Sequence, residues 1–169
     1  MKNHFELFGL TPAYALDLEH LDRAYRDIQS KVHPDRHAQA GDAARRASMQ
    51  MTTQVNEAHR TLKDPLQRAK HLLELRGVDV AFETNTAMPP EFLMQQMELR
   101  ERLDQARNPD ALGLLEKELF ALRESMEARI AECIDARHDY RGAAGPVREL
   151  MFLEKLDEEI NAAYEALDI

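Results

Sequence analysis

The chain has little that could cross-link it, carry it through a membrane or attach it to nucleic acid. Of its 169 residues only one, Cys133, is a cysteine. A single thiol permits no internal disulfide and no thiolate zinc or iron–sulfur site within one chain. That fits a reducing cytoplasm, and Cys133 is expected to be a small core residue. No apolar run approaches the roughly 18 residues that a membrane-spanning helix needs. The N-terminal MKNHFELFGL lacks an apolar core of signal-peptide length, so no membrane association and no export are expected. Basic residues are in deficit: 22 Lys and Arg against 31 Asp and Glu leave a formal net charge of −9. A non-specific nucleic-acid binder needs basic surface to displace counterions, so nucleic acid is not an expected partner. Stretches of alternating β-branched residues are missing, and only six glycines and seven prolines interrupt a chain rich in Ala, Leu, Glu, Arg, Gln and Met. These are helix formers, and the fold class expected is all-α.

What remains is ordinary globular material, 44% hydrophobic and 31% charged, enough for one domain or two small ones. Leu18, Leu21, Tyr25, Ile28 and Val32 recur at spacings of three and four, which predicts an amphipathic helix over 17–32 with Asp17 as its cap. Met51, Val55, Ala58 and Leu62 predict a second, opened by Asp42 and stopped at Asp64-Pro65. A short helix over 66–75 follows, with Arg76-Gly77 as its C-terminal cap. Residues 77–88, GVDVAFETNTAM, carry no helical period and read as a linker. Beyond them three helices are expected: one from Glu91 to about Arg107, one from Asn108-Pro109 through Cys133, and one after a turn over 142–146 running to the C-terminus. Short turns between three helices make an antiparallel bundle. The domain limits expected are 1–76, 77–88 for the linker and 89–169.

The stretch KVHPDRHA breaks the first hairpin at His33-Pro34-Asp35. By itself the tripeptide is a helix stop and a loop. Between two amphipathic helices it becomes the exposed tip of a helical hairpin. "FELFGL", "AYRDIQSKVHPDRHA" and "NEAHRTLKDPLQRA" stand in the order and at the spacing of a J-domain, which the first part of the chain resembles. The resemblance implies that His33, Pro34 and Asp35, with the preceding helix and its Arg23, Arg26 and Lys31, dock onto a DnaK-type chaperone and stimulate its ATP hydrolysis. The chemistry is consistent with that. Proline stiffens the loop and lowers the entropy lost on docking. Asp35 offers a carboxylate to a partner arginine, and His33 offers a donor at a helix C-terminus, where a cation is favoured. Asp22 and Asp27 are expected to dilute the positive face of that helix and to weaken steering toward a generic acidic chaperone.

Downstream, "PEFLMQQMELRERLD" and "VRELMFLEKLDEEI" extend the resemblance over nearly the whole chain, to the HscB family, J-type co-chaperones of iron–sulfur cluster assembly. The resemblance implies a non-enzymatic adaptor of the bacterial type without an N-terminal zinc extension. Its partners would be the ATPase HscA and the scaffold protein IscU, with no cofactor of its own. A J-domain co-chaperone for another client is the alternative. The helix from Glu91 has its own message. At about 100° per residue, Phe92, Leu99, Leu103 and Ala106 fall on a core side, while Leu93, Met94 and Met97 fall near the opposite one, among Glu101 and Asp104. Such a patch covers another part of the chain or binds a client, and methionine suits an adaptable surface. The resemblance favours the client, implying that Leu93, Met94, Met97, Glu98 and Glu101 bind the scaffold; Phe152, off the last helix's stripe, joins them as a candidate. A metalloenzyme is disfavoured: Pro34 spoils the i,i+4 geometry of His33 and His37, and His20, His59 and His71 are scattered.

Overall fold

Asp17 opens the first long helix by accepting from the N–H groups of Glu19 and His20, which would otherwise lack partners. In the computed structural model, which describes residues 2–37, 39–80 and 88–167, all secondary structure among the described residues is helical. The chain divides into two units, residues 1–75 and 76–169.

The first unit comprises α1 (His4–Leu7), α2 (Leu18–Val32), α3 (Asp42–Lys63) and α4 (Pro65–Leu75). The Asn3 carbonyl oxygen of the side chain accepts from Glu6 N–H while the Glu6 carboxylate accepts from Asn3 N–H, a reciprocal cap that fixes α1 and aims Phe5 into the core. Helices α2 and α3 are antiparallel: Asp22 lies opposite His59 and Lys63, Tyr25 opposite Asn56, and Val32 opposite Ser48 and Thr52. Leu21, Val55, Ala58, Leu62, Leu72 and Leu73 are buried between the helices with Phe5 and Phe8. Each large one contributes about 1.5–3 kcal/mol relative to exposure. Two stripe residues do not reach this core. Leu18 begins α2, beyond the packed turns, and Met51 is level with the last turn of α2 but off the Ser48–Thr52 side that meets Val32, so both are exposed. Asp42 is the first residue inside α3; Gly41, at φ 93°, holds the cap position, and Asp42 pairs with Arg45. At the Asp64-Pro65 break the Asp64 carboxylate turns to cap α4, accepting from Leu66 N–H at 2.8 Å. Buried Arg68 donates to the Leu62 carbonyl at 2.7 Å and lies over the Tyr14 ring, joining α3, α4 and the loop before α2.

The second unit is a three-helix bundle of α5 (Pro90–Gln105), α6 (Pro109–Ala131) and α7 (Tyr140–Leu167). Facing pairs give its directions. Arg123 meets Asp157 and Arg129 meets Glu149, so α6 and α7 are antiparallel; Phe92 meets Phe152 and Arg100 meets Glu159, so α5 and α7 are parallel. Asn108 caps α6 through Ala111 N–H, with Pro109 in the first turn. The core is the expected leucine-rich stripe, Leu112, Leu115, Leu119, Ile130, Leu150, Leu153, Leu156 and Ile160, and Cys133 is buried in it.

The last turn is not at 142–146. Helix α6 ends in one π-type turn, Glu132–Ala136, the chain reverses at His138, whose φ is +52°, and α7 then starts at Tyr140 with Pro146 inside it. The missing N–H of Pro146 deprives only the Gly142 carbonyl, and Gly142 is exposed, so water can replace that bond. The Pro146 ring is buried in the bundle, which offsets the lost hydrogen bond. Asp139 supplies the cap, accepting from Gly142 N–H at 2.9 Å. Of the expected linker, residues 81–87 lie outside the described residues.

Candidate functional site

The His-Pro-Asp turn is built by the end of α2. His33 leaves the helix with ψ at 134°, as a residue before proline must, and Pro34–His37 form one 3₁₀ turn. The Asp35 N–H donates to His33 Nδ1 at 3.2 Å. That ring nitrogen is engaged within the turn, which leaves Nε2 as the ring's remaining hydrogen-bonding atom. Asp35 itself is the more open of the two, its side chain 92% exposed, with its carboxylate 3.5 Å from the same Nδ1. The turn thus presents an imidazole, a rigid ring and a carboxylate side by side on solvent.

Behind it the Val32 carbonyl, left without a helical donor, is capped from α3. Ser48 Oγ makes a short hydrogen bond to it, and Thr52 Oγ1 lies at 3.2 Å. These two residues were not legible as site residues. The only signal was a polar serine on the apolar face of α3, two turns before Val55.

Of the basic residues on α2, Arg23 and Arg26 are exposed, whereas Lys31 pairs with Asp27 one turn back at 3.1 Å. Asp22 does not dilute this face as expected. It turns toward α3, where His59 Nε2 donates to it at 2.7 Å and Lys63 stands at 3.3 Å. The His59 hydrogen bond, opposed in part by desolvation and supported by Lys63, holds the Asp22 carboxyl below its usual range. The Tyr25 ring stacks on His59 at 3.9 Å and its hydroxyl donates to Asn56. Asp22 therefore belongs to the clamp between the hairpin helices, and Asp27 alone offsets the positive face.

On α5 the two sides separate as the helical spacing predicts. Phe92 and Leu99 are buried, together with Gln96, while Leu103, near the end of the helix, is only half-buried. Leu93 is 40% exposed and Met94 and Met97 are each 70% exposed, with Glu98 and Glu101 exposed beside them. Met94, Met97, Glu98 and Glu101 border an open groove of about 1190 Å³ that reaches Met126, Arg129 and Glu149. Phe152 is half-buried; its ring meets Phe92 edge-on at 6.2 Å, which puts it against the inner side of α5. Two ion pairs fix the orientation of α5: Arg100 donates to both Glu159 oxygens, at 2.7 and 3.0 Å, and Arg102 pairs with Glu118. The methionines are therefore displayed on a helix whose rotation is set by ion pairs flanking its buried side.

No helix among the described residues is long and apolar enough to cross a membrane. Residues 3–71 match the DnaJ domain family, and residues 88–161 match the family described as the HSCB C-terminal oligomerisation domain. The chain is 53% identical over 169 residues to the co-chaperone protein HscB homolog of Burkholderia thailandensis, covering 98% of this chain and 96% of that one. It is 51% identical to the Burkholderia vietnamiensis homolog with the same coverage. Among solved structures it resembles the chaperone HscB from Vibrio cholerae, with a TM-score of 0.85 at 36% identity over 98% of this chain and 99% of that one. The human co-chaperone HscB gives a TM-score of 0.91 at 25% identity, over 96% of this chain and 82% of that one. The two family matches fall on the hairpin unit and on the bundle unit in turn, the likeness to the curated relatives covers both, and the chain belongs to the HscB family of J-domain co-chaperones.

Proposed function

We propose that this co-chaperone stimulates the ATPase of a dedicated DnaK-type chaperone, HscA, and delivers to it the iron–sulfur scaffold protein IscU, in the cytoplasm. In this reading residues 1–76 contact the chaperone through His33, Pro34 and Asp35, helped by Arg23, Arg26 and Lys31. Residues 89–169 hold the scaffold through Leu93, Met94, Met97, Glu98 and Glu101, with Phe152 shaping the edge of that face from behind Phe92; residues 77–88 are the linker. The observation that carries the reading is the pairing of an exposed, hydrogen-bonded His-Pro-Asp turn in one unit with exposed methionines on a firmly held helix in the other. An adaptor needs two such surfaces, and holding both on one chain raises the local concentration of client at the chaperone.

The test is an ATPase assay with purified HscA and IscU. His33→Gln is expected to abolish stimulation while leaving IscU binding at the wild-type level. Leu93→Ala/Met97→Ala is expected to do the reverse, weakening IscU binding by about tenfold or more. Wild-type stimulation by the first variant would remove the chaperone-contact assignment. Wild-type IscU affinity in the second would point instead to a different client.

A further inference from the structure

We infer that Ser48 and Thr52 are positioning residues for the His-Pro-Asp turn, their hydroxyls setting the peptide plane from which His33 projects; this rests on the reading that the turn is the chaperone contact. The last carbonyls of a helix need partners from elsewhere. The Val32 carbonyl is such a group: the chain leaves the helix at His33, and Arg36 N–H, four residues on, donates to the His33 carbonyl instead. Ser48, only 7% exposed, supplies a partner from a face of α3 otherwise given to Val55, Ala58 and Leu62. Thr52 Oγ1 stands 3.2 Å from the same carbonyl and 2.8 Å from the Ser48 carbonyl. A hydroxyl has one proton, so Thr52 serves one acceptor at a time and stands in reserve for Val32.

The consequence reaches the tip through a planar peptide unit. Fixing the Val32 oxygen fixes the plane that carries His33 nitrogen and Cα. From His33 the chain of hydrogen bonds continues: Asp35 N–H to His33 Nδ1, and Arg36 N–H to the His33 carbonyl at 3.1 Å. The His33 ring is thus oriented from α3, across the hairpin, before any partner arrives. Such preorganisation lowers the cost of docking.

The experiment uses the full chain with Ser48→Ala, Thr52→Val, the double variant, and the exchanged Ser48→Thr/Thr52→Ser. Val55→Ala serves as a control that loosens the same helix pair without touching Val32. The double variant is expected to lower maximal ATPase stimulation of HscA by about tenfold, the scale of one or two lost hydrogen bonds. The single variants lose less, because one hydroxyl replaces the other. The exchanged pair keeps stimulation, IscU affinity stays unchanged throughout, and the His33 ring resonances shift in the double variant. Wild-type stimulation by the double variant would overturn the inference. So would an equal loss in Val55→Ala at matched thermal stability, since the effect would then be loosening alone. If the double variant does not fold, Ser48→Ala decides by NMR: the Val32 carbonyl carbon is expected to shift, and an unchanged resonance overturns the inference. His33→Gln separates the two readings. If it leaves stimulation intact, the chaperone-contact reading fails; if it abolishes stimulation and the double variant does not reduce it, only the positioning role fails.

Discussion

His71 on α4 is kept neutral by what surrounds it. Its Nε2 accepts the His4 N–H at 3.4 Å, the His4 ring stacks on it at 4.2 Å, and the Phe5 ring lies at 5.8 Å. Burial is the larger cause and the His4 charge the second of a pKa below the ordinary 6.5, against a weaker pull upward from Glu74, 4.0 Å from Nδ1. A histidine that titrates lower when folded binds protons preferentially when unfolded. Its contribution is therefore complete above 6.5 and is lost as the pH falls from there through the folded-state value. We expect the J-domain to lose stability between neutral and mildly acidic pH, and His71→Gln to flatten that loss; urea unfolding at several pH values measures both slopes, and equal slopes would remove His71 from the account. Glu149 has the opposite sign. Burial raises its pKa even though Arg129 donates to it at 3.0 Å. Stability is then withheld as the pH rises through the raised value, because the buried charge must be carried. Glu149→Gln is expected to cost little or to stabilise at neutral pH, and thermal unfolding reads it directly. Neither environment was legible in the sequence. His71 and Glu149 depend on who packs against them, whereas His33 and Asp35 were legible because Pro34 between two amphipathic runs leaves them nowhere to go but a loop.

At the level of elements, repeat spacing carried most of the reading. Asp17, Asp64-Pro65 and Asn108-Pro109 mark real helix limits because caps and proline act locally. The exception is "GAAGP". Two glycines and a proline in five residues look like a turn, yet they lie in the first turns of α7. What decides is tertiary: Ala143, Ala144, Pro146 and Val147 are buried against α6, and the reversal falls on His138. The two glycines then differ. A Cβ at Gly145 would meet nothing within 4 Å, while one at Gly142 would lie 2.1 Å from the Asp139 carboxylate that caps the helix. Gly145→Ala should stabilise the bundle by about 0.5–1 kcal/mol. Gly142→Ala should forfeit that gain, because the cap it displaces is itself worth about 1 kcal/mol. Chemical denaturation of the two variants compares them, and equal gains would show that the Asp139 cap contributes nothing.

For the whole molecule, what matters is that the two surfaces share one chain. The division of the chain after residue 75 falls beside the loss of helical period that follows Gly77. The exposed face of α5 was legible in part: its methionines followed from angle alone, but the ion pairs of Arg100 and Arg102 that hold the helix required the positions of α6 and α7. Co-tethering gives the last prediction. On the proposed reading, His33→Gln retains the scaffold surface and lacks the chaperone contact, while Leu93→Ala/Met97→Ala retains the contact and lacks the scaffold surface. If delivery needs only both activities in solution, an equimolar mixture restores scaffold-dependent ATPase stimulation. If it needs the raised local concentration that a tether provides, commonly worth 10²–10⁴-fold, the mixture stays inactive at concentrations where the wild type is saturating. We expect inactivity, with partial recovery only at protein concentrations near the millimolar range typical of short tethers.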